Sequence, residues 1–214
     1  MSEKQKPPFL GLSEEDIRAL SQHAVTRSYP KNTVILNEGD DTDALYIILS
    51  GKVKVFLADE EGKEIILDTQ GTGEYFGEMV LDEGPRSASV MTLEPCRFQL
   101  IPRNDVKALL QSHPDFAMHL IRKLIYRGRV LTEHVKSLAL QNVYGRFVKF
   151  LNELAVQQDG KRVIVDKLSQ QDMASHIGAS REMINRIIKD LTTGGYISVE
   201  AQRIVIHKPL PADW

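Results

Sequence analysis

The sequence predicts an α+β protein with an N-terminal β jelly roll, a long central helix and a small C-terminal domain of helices and a hairpin. Apolar residues alternate at a period of two from about residue 26 to 101. Between residues 114 and 138 they recur at a helical period, and Gly128 is the only turn signal there. Both periods occur after residue 143. These changes place domain boundaries at 1–112, 113–140 and 141–214.

The composition is that of a globular protein with room for two modest domains. The chain has 214 residues, of which 42% are hydrophobic and 26% charged. No apolar run approaches the roughly 20 residues that cross a membrane, and the N-terminus lacks the apolar core of a secretory signal. We therefore expect a cytoplasmic protein without a membrane partner.

Metal and cluster chemistry are not expected. The single cysteine, Cys96, excludes an intramolecular disulfide and an iron–sulfur cluster, which needs about four thiolates. The six histidines show no metal-ligand spacing. No nucleophile, base and orienting group occur together in a motif, so the sequence predicts a protein that is not an enzyme.

The N-terminal region is predicted to be a short helix followed by a small barrel. Ser13 is a suitable cap for a helix over residues 13–24. Short strands are predicted at 33–36, 45–49, 53–57, 65–67, 89–92 and 97–101. Glycines and other turn residues separate these runs, and Ser50-Gly51 and Glu61-Gly62 are predicted hairpin turns. This pattern is typical of a jelly roll.

The central helix carries a heptad seam that indicates a parallel homodimer. Its members recur at steps of four and three: Ala117, Ile121, Leu124, Gly128, Leu131, Val135 and Leu138. The alternative is a long helix packed only on its own barrel. A second apolar set, Phe116, Leu120 and Ile125, could cover the barrel while the seam faces a partner. A further helix is predicted over 143–156, followed by a loop at 157–161.

The C-terminal region predicts a helix-turn-helix followed by a wing. Ser169 is a suitable N-cap, Gly178 supplies the turn, and Ser180 caps the second helix. Apolar residues mark the buried side of that helix: Ile184, Ile187, Ile188 and Leu191. Two strands, 195–199 and 203–207, follow around a short turn. This combination is a winged helix, a fold that binds double-stranded DNA.

The outer face of the second helix has the composition of a DNA-reading surface. It carries Arg181, Glu182, Asn185, Arg186 and Lys189. Arginine pairs bidentately with guanine, glutamate accepts from cytosine, and lysine contacts phosphate. The alternative is a pair of crossed helices with a solvated charged face. Residues 138–214 carry ten Lys and Arg against eight Asp and Glu, so DNA affinity must come from a few placed cations.

A second informative segment is FGEMVLDEGPRSASV at residues 76–90. A buried phosphate needs a cation and several donors, which Arg86, the Ser87 hydroxyl and the Ala88 amide can supply. Gly77 is predicted to open a short helix whose amides favour an anion. Glu78 can accept from a ribose hydroxyl and pair with Arg86. The alternative is a Glu–Arg salt bridge across a barrel corner, without a ligand.

Gly77-Glu78 with Arg86-Ser87-Ala88 resembles the phosphate-binding cassette of cyclic-nucleotide-binding domains. With the long helix and GASREMINR at 178–186, the chain resembles the bacterial cyclic AMP receptor protein/FNR family of transcription regulators, from about residue 10 to 207. The resemblance implies a cyclic nucleotide-gated homodimer. In that family Gly-Glu contacts the ribose, and Arg-Ser-Ala binds the cyclic phosphate. The spacing from Gly77 to Arg86 is slightly shorter than usual, so the mouth of the pocket should differ.

The resemblance also implies which nucleotide- and DNA-binding residues lie on the later helices. On the long helix, the nucleotide set includes Arg127, Leu131 and Thr132. The last two correspond to a Thr-Ser pair that contacts adenine in the cyclic AMP receptor. Leu131 offers no hydrogen bond to a base, which leaves a cyclic dinucleotide open beside cyclic AMP. No axial haem ligand lies near the cassette.

For DNA, the resemblance implies a reading set of Ser180, Arg181, Glu182 and Arg186. The operator would be palindromic, with half-sites resembling GTGA. Ser169 belongs to the DNA-binding set, and Gln170 and Lys189 would position the DNA backbone. RNA polymerase is implied as a partner. Two alternatives remain: a family regulator whose pocket is empty or differently occupied, and a nucleotide-binding module that acts on a protein partner.

Overall fold

The computed structural model describes residues 24–41, 43–82, 84–158, 160–165, 168–200 and 203–211. The predicted helix at 13–24 lies outside these ranges except for its last residue. The described residues form two compact units. One contains residues 24–57 and 67–130, and the other contains residues 58–66 and 131–211.

The N-terminal strands form two sheets. They are β1 (Val25–Tyr29), β2 (Val34–Leu36), β3 (Ala44–Ser50), β4 (Val53–Ala58), β5 (Glu64–Gln70), β6 (Tyr75–Phe76), β7 (Ser89–Thr92) and β8 (Cys96–Pro102). One sheet has the order β1-β8-β3-β6 and the other β2-β7-β4-β5. The ring of Phe76 stacks on Tyr46 at 5.0 Å and meets Phe98 edge-on at 5.4 Å. Phe76 directly precedes Gly77, so these ring contacts anchor the start of the cassette in the core of the barrel.

One of the two predicted hairpin turns is correct. The backbone N–H of Gly62 donates to the carbonyl of Asp59 at 3.0 Å and closes the β4–β5 turn. Ser50-Gly51 instead joins β3 in one sheet to β4 in the other, so it is a crossover between sheets. Gly51 has φ +96°, and a Cβ there would lie 2.5 Å from the Cys96 sulfur. That position therefore requires glycine.

The long helix is confirmed, and its apolar seam is exposed within one chain. The helices of this region are α1 (Arg103–Ser112), α2 (Pro114–Leu140) and α3 (Val143–Leu154). Five seam residues of α2 are between 42% and 66% exposed: Ile121, Leu124, Leu131, Val135 and Leu138. Phe116 and Leu120 are buried as predicted. The prediction for Ile125 is wrong, because it is 53% exposed, while Lys123 is buried on the face that carries Phe116 and Leu120.

The C-terminal unit contains the predicted winged helix-turn-helix. Its elements after α3 are β9 (Val156–Gln158), β10 (Lys161–Ile164), α4 (Gln170–Ile177), α5 (Arg181–Thr193), β11 (Ile197–Glu200) and β12 (Arg203–Ile206). The predicted loop at 157–161 is wrong, because β9 and β10 pair there as a hairpin. Both strands join the wing in a sheet of order β11-β12-β10-β9. Phe147, Leu151, Ile184 and Leu191 form the core beneath this sheet.

Candidate nucleotide site and nucleic-acid interface

The cassette begins at a glycine that the backbone requires. Gly77 follows β6 with φ +85° and precedes a 3-10 helix over Glu78–Leu81. A Cβ at Gly77 would lie 3.1 Å from the carbonyl oxygen of Ala44. The left-handed conformation and the close approach of β3 both favour glycine here. Any side chain at this position would displace the segment that carries Glu78.

Arg86 is a buried cation that backbone carbonyls hold in place. It is 4% exposed. Its Nη1 donates to the Gly77 carbonyl at 2.7 Å, and its Nη2 donates to the Ala44 carbonyl at 3.0 Å. Burial lowers the pKa of the guanidinium, and the nearby phenol of Tyr46 opposes that shift. Because an arginine remains protonated in proteins, the cassette carries a fixed positive charge.

The predicted pairing of Glu78 with Arg86 is wrong. The Oε1 of Glu78 accepts instead from Nη1 of Arg127 on α2, in an ion pair. The other oxygen, Oε2, is buried and has no hydrogen-bond partner among the described residues. Burial lowers the pKa of Arg127, and the carboxylates of Asp68 and Glu74 oppose that shift. Arg127 therefore contacts the cassette through one carboxylate oxygen of Glu78. The other oxygen is left without a partner among the described residues.

The remaining predicted nucleotide residues differ in exposure. Ser87 is exposed and Ala88 half-buried, and both follow Arg86 directly in the chain. Leu131 and Thr132 lie on α2, one turn after Arg127, and both are exposed. The structure therefore brings Gly77, Glu78 and Arg86 together with Arg127.

Lys123 is a cassette neighbour that the sequence analysis missed. It is 1% exposed, and its ammonium donates to the carbonyl of Tyr75, two residues before Gly77. The same ammonium lies 3.3 Å from the centre of the Tyr75 ring. Lys123 is one turn before Arg127, so two cations of α2 contact the cassette and the strand that leads into it. The only available signal was the spacing of Lys123 from Phe116 and Leu120.

The two helices of the helix-turn-helix begin at capped residues, as predicted. Ser169 and Asp172 form a reciprocal capping box at the start of α4. The Ser180 hydroxyl accepts from the backbone N–H of Met183 at the start of α5. Gly178 ends α4 with φ +66°. These caps fix where each helix begins and therefore which residues of α5 face outward.

A second residue that the sequence analysis missed, Arg146 on α3, holds the turn between these helices. Its Nε donates to the carbonyl of Ile177 at 2.8 Å, and its Nη2 donates to that of Gly178 at 3.3 Å. Its Nη1 donates to the carbonyl of Gln141 at 2.8 Å. One guanidinium thus satisfies carbonyls at the end of α4 and just after α2.

The outer face of α5 presents the predicted reading residues to solvent. Five polar side chains are exposed there: Arg181, Glu182, Asn185, Arg186 and Lys189. The opposite face packs into the core through Ile184, Ile188 and Leu191. Hydrogen bonds from its own backbone N–H and from Ser180 lower the pKa of Glu182, which keeps the carboxylate ionised as an acceptor. Exposed cations flank this carboxylate, an arrangement suited to base edges and phosphates.

Across the described ranges, no three His, Cys, Asp or Glu side chains are grouped so that they could hold a metal ion. In the same ranges, none of the helices is both long and apolar enough to cross a membrane.

Both halves of the chain match known protein families. Residues 26–113 match the family described as "Cyclic nucleotide-binding domain", and residues 145–209 match "Crp-like helix-turn-helix domain". The "CRP-like cAMP-activated global transcriptional regulator" of Mycobacterium tuberculosis is 31% identical over 203 residues, which are 92% of this chain and 91% of that protein. The "cAMP-activated global transcriptional regulator CRP" of Salmonella typhimurium is 34% identical over 193 residues, which are 86% of this chain and 90% of that protein.

Solved structures show the same likeness. That of "the c-di-GMP Responsive Global Regulator CLP" of Xanthomonas campestris has a TM-score of 0.80 and is 26% identical. The alignment covers 90% of this chain and 98% of that one. A likeness that spans the barrel, α2 and the winged helix covers the complete order of elements.

Proposed function

Because the chain belongs to the CRP/FNR family of transcription regulators, we propose that it is a homodimer whose binding to operator DNA is gated by a cyclic nucleotide. The cassette supports this proposal most directly, because buried Arg86 lies on the same short segment as Glu78, whose Oε2 has no hydrogen-bond partner among the described residues. A guanidinium is the side chain best suited to a cyclic phosphate. A buried carboxylate oxygen without a donor is suited to a ribose hydroxyl.

The ligand class follows from the groups that Arg86 and Glu78 can satisfy together. Arg86 supplies one fixed positive charge, and Ser87 and Ala88 add a hydroxyl and an amide directly after it. Glu78 supplies an acceptor that a ribose 2′-hydroxyl would fill. These groups suit a cyclic phosphate joined to a ribose, and the relatives named as cAMP-activated make cyclic AMP the first candidate.

One observation favours a second candidate, a cyclic dinucleotide. Leu131, which is 45% exposed on α2, presents an apolar side chain where the family resemblance places a contact to adenine. Hydrogen-bonding specificity for adenine is weakened by such a residue, whereas a larger ligand gains from apolar contact. The structural relative from Xanthomonas campestris is described as responsive to c-di-GMP.

A panel of cyclic AMP, cyclic GMP and cyclic di-GMP, tested by calorimetry on the full chain, decides the ligand. We expect one of these nucleotides to bind and to strengthen binding to a selected operator. An effector that raises DNA affinity by a factor must itself bind more tightly to the DNA complex by that factor. Operator binding that no nucleotide changes would favour a regulator with an empty or differently occupied pocket. Nucleotide binding without any DNA selection would favour a module acting on a protein partner.

The seam of α2 and the outer face of α5 support the rest of the proposal. An exposed apolar heptad row is what a parallel helix pair buries. A twofold dimer would place its two α5 helices in successive major grooves, about 34 Å apart. The regulator would act in the cytoplasm, where operator DNA and RNA polymerase, its proposed partner in transcription, are found.

Replacing Glu182 by alanine should relax the operator at one base pair in each half-site. The exposed, ionised carboxylate is the acceptor we assign to a cytosine amino group. Its loss should remove ~1–3 kcal/mol of discrimination there and little elsewhere. Selection from random DNA with both proteins measures this change. Glu94→Ala, which alters net charge equally on the barrel surface, should return the wild-type motif; a Glu182→Ala motif identical to wild type would reject the assignment.

A further inference from the structure

We propose that Asn185 reads an adenine in each half-site and that Gln170 is the positioning residue that holds its side chain. This inference rests on the proposed function, since it concerns an operator that α5 contacts. It adds one specified base pair to those assigned to Arg181, Glu182 and Arg186. It also gives Gln170 a role beyond the backbone contact that the sequence predicts for it.

The supporting contact joins the two helices of the helix-turn-helix. Nε2 of Gln170 donates to Oδ1 of Asn185 at 3.2 Å. Gln170 is the first residue of α4 and is half-buried, whereas Asn185 is exposed in the second turn of α5. An exposed asparagine without such a partner samples several side-chain orientations. The bond from Gln170 selects one of them before any DNA arrives.

The position of Asn185 on α5 directs it toward the groove that the other residues read. It lies one turn after Arg181 and one turn before Lys189, so these three side chains form one row along the helix. The adjacent residue Ile184 is fully buried, which fixes the rotation of α5 about its axis. Asn185 therefore shares the outer face with the assigned base-reading residues.

The chemistry of the amide identifies the base. A carbonyl oxygen has two lone pairs, so Oδ1 can accept from Gln170 and from a second donor. The Nδ2 group remains a donor. An acceptor beside a donor matches the N6 amino group and N7 of adenine in the major groove, the usual bidentate partner of asparagine. Guanine offers two acceptors on the same edge and matches less well.

The test is selection from random DNA followed by measured affinities, with wild type, Asn185→Ala, Gln170→Ala and the double variant. We expect an adenine preference of roughly tenfold at one position per half-site in the wild type. Asn185→Ala should remove it, Gln170→Ala should reduce it severalfold, and the double variant should resemble Asn185→Ala. Such non-additivity is the signature of a residue that acts through another.

Asn185→Asp distinguishes base reading from a merely structural role, because only a base-reading residue should change the preferred base when it is replaced. Aspartate keeps an acceptor but loses the donor, so the preferred base should change from adenine to cytosine. Gln171→Ala is the matched control, because it removes the neighbouring glutamine from the same turn of α4 and should leave the motif unchanged. Thermal unfolding confirms that each variant is folded.

The outcomes separate this inference from the proposal on which it rests. If the wild type selects a dyad motif but Asn185→Ala and Asn185→Asp return the same motif, Asn185 does not read a base and the inference fails alone. If Gln170→Ala alters all sequences equally, Gln170 contacts the backbone and does not position Asn185. If the wild type selects no motif, the proposed operator recognition and this inference both fail.

Discussion

Arg86→Ala should weaken cyclic nucleotide binding by roughly tenfold to hundredfold, or ~1.5–3 kcal/mol. The guanidinium of Arg86 is a buried cation on the cassette, and alanine removes its charge-assisted donors from a bound phosphate. The side chain also holds the carbonyls of Gly77 and Ala44, so its loss should loosen the segment that presents Glu78. Calorimetric titration of the full-length variant measures the effect.

Arg86→Lys separates the charge from the geometry of the site. Lysine retains the positive charge but lacks the planar fork that donates in two directions. We expect an affinity between those of wild type and Arg86→Ala. Thermal unfolding of both variants identifies any general loss of stability. Unchanged nucleotide affinity in a folded Arg86→Ala protein would reject the pocket assignment.

Leu131→Asp should dissociate the proposed homodimer at micromolar protein concentration. Leu131 is exposed in one chain and belongs to the α2 seam, where a symmetric partner would place its own Leu131 nearby. Two carboxylates in an apolar seam would be buried without partners and would repel each other. Sedimentation equilibrium measures the change as a shift from dimer to monomer mass.

Ile125→Asp is the matched control for this result. Ile125 is also an exposed apolar residue of α2, but it lies outside the heptad positions of the seam. We expect that variant to remain dimeric. A dimeric Leu131→Asp protein would show that the seam is not the interface, and DNA binding by a stable monomer would reject the paired-helix arrangement.

The fold was largely predictable because its elements have clear local periods. The alternation of strands such as β3 and β8, the apolar spacing of α2 and the capping residues of α4 and α5 all agree with the structure. The two-residue strand β6 is too short to show a period. The sequence predicts a loop where the β9–β10 hairpin lies, because turn residues dominate residues 157–161. α1 was not anticipated.

The site was predictable as a set of residues but not as a set of contacts. Gly77, Glu78 and Arg86 lie on one segment, so their spacing alone brings them together. The partner of Glu78 is Arg127, 49 residues away, and only tertiary packing determines that choice. The sequence does not predict the position of Lys123, because a lysine on a helix usually faces water. In the structure, the carbonyl and the aromatic ring of Tyr75 compensate for the burial of its ammonium.

The two cations of α2 restrict how that helix can move against the cassette. A slip of one residue along its axis would shift the helix by about 1.5 Å and turn it by about 100°. The Tyr75 carbonyl and the Glu78 carboxylate would then lose Lys123 and Arg127 together, and unpaired charges would be left buried. Sliding is therefore strongly opposed. Because Lys123 and Arg127 join α2 to the Tyr75 carbonyl and to Glu78, a displacement of the cassette would have to move this part of α2 with it or break both contacts.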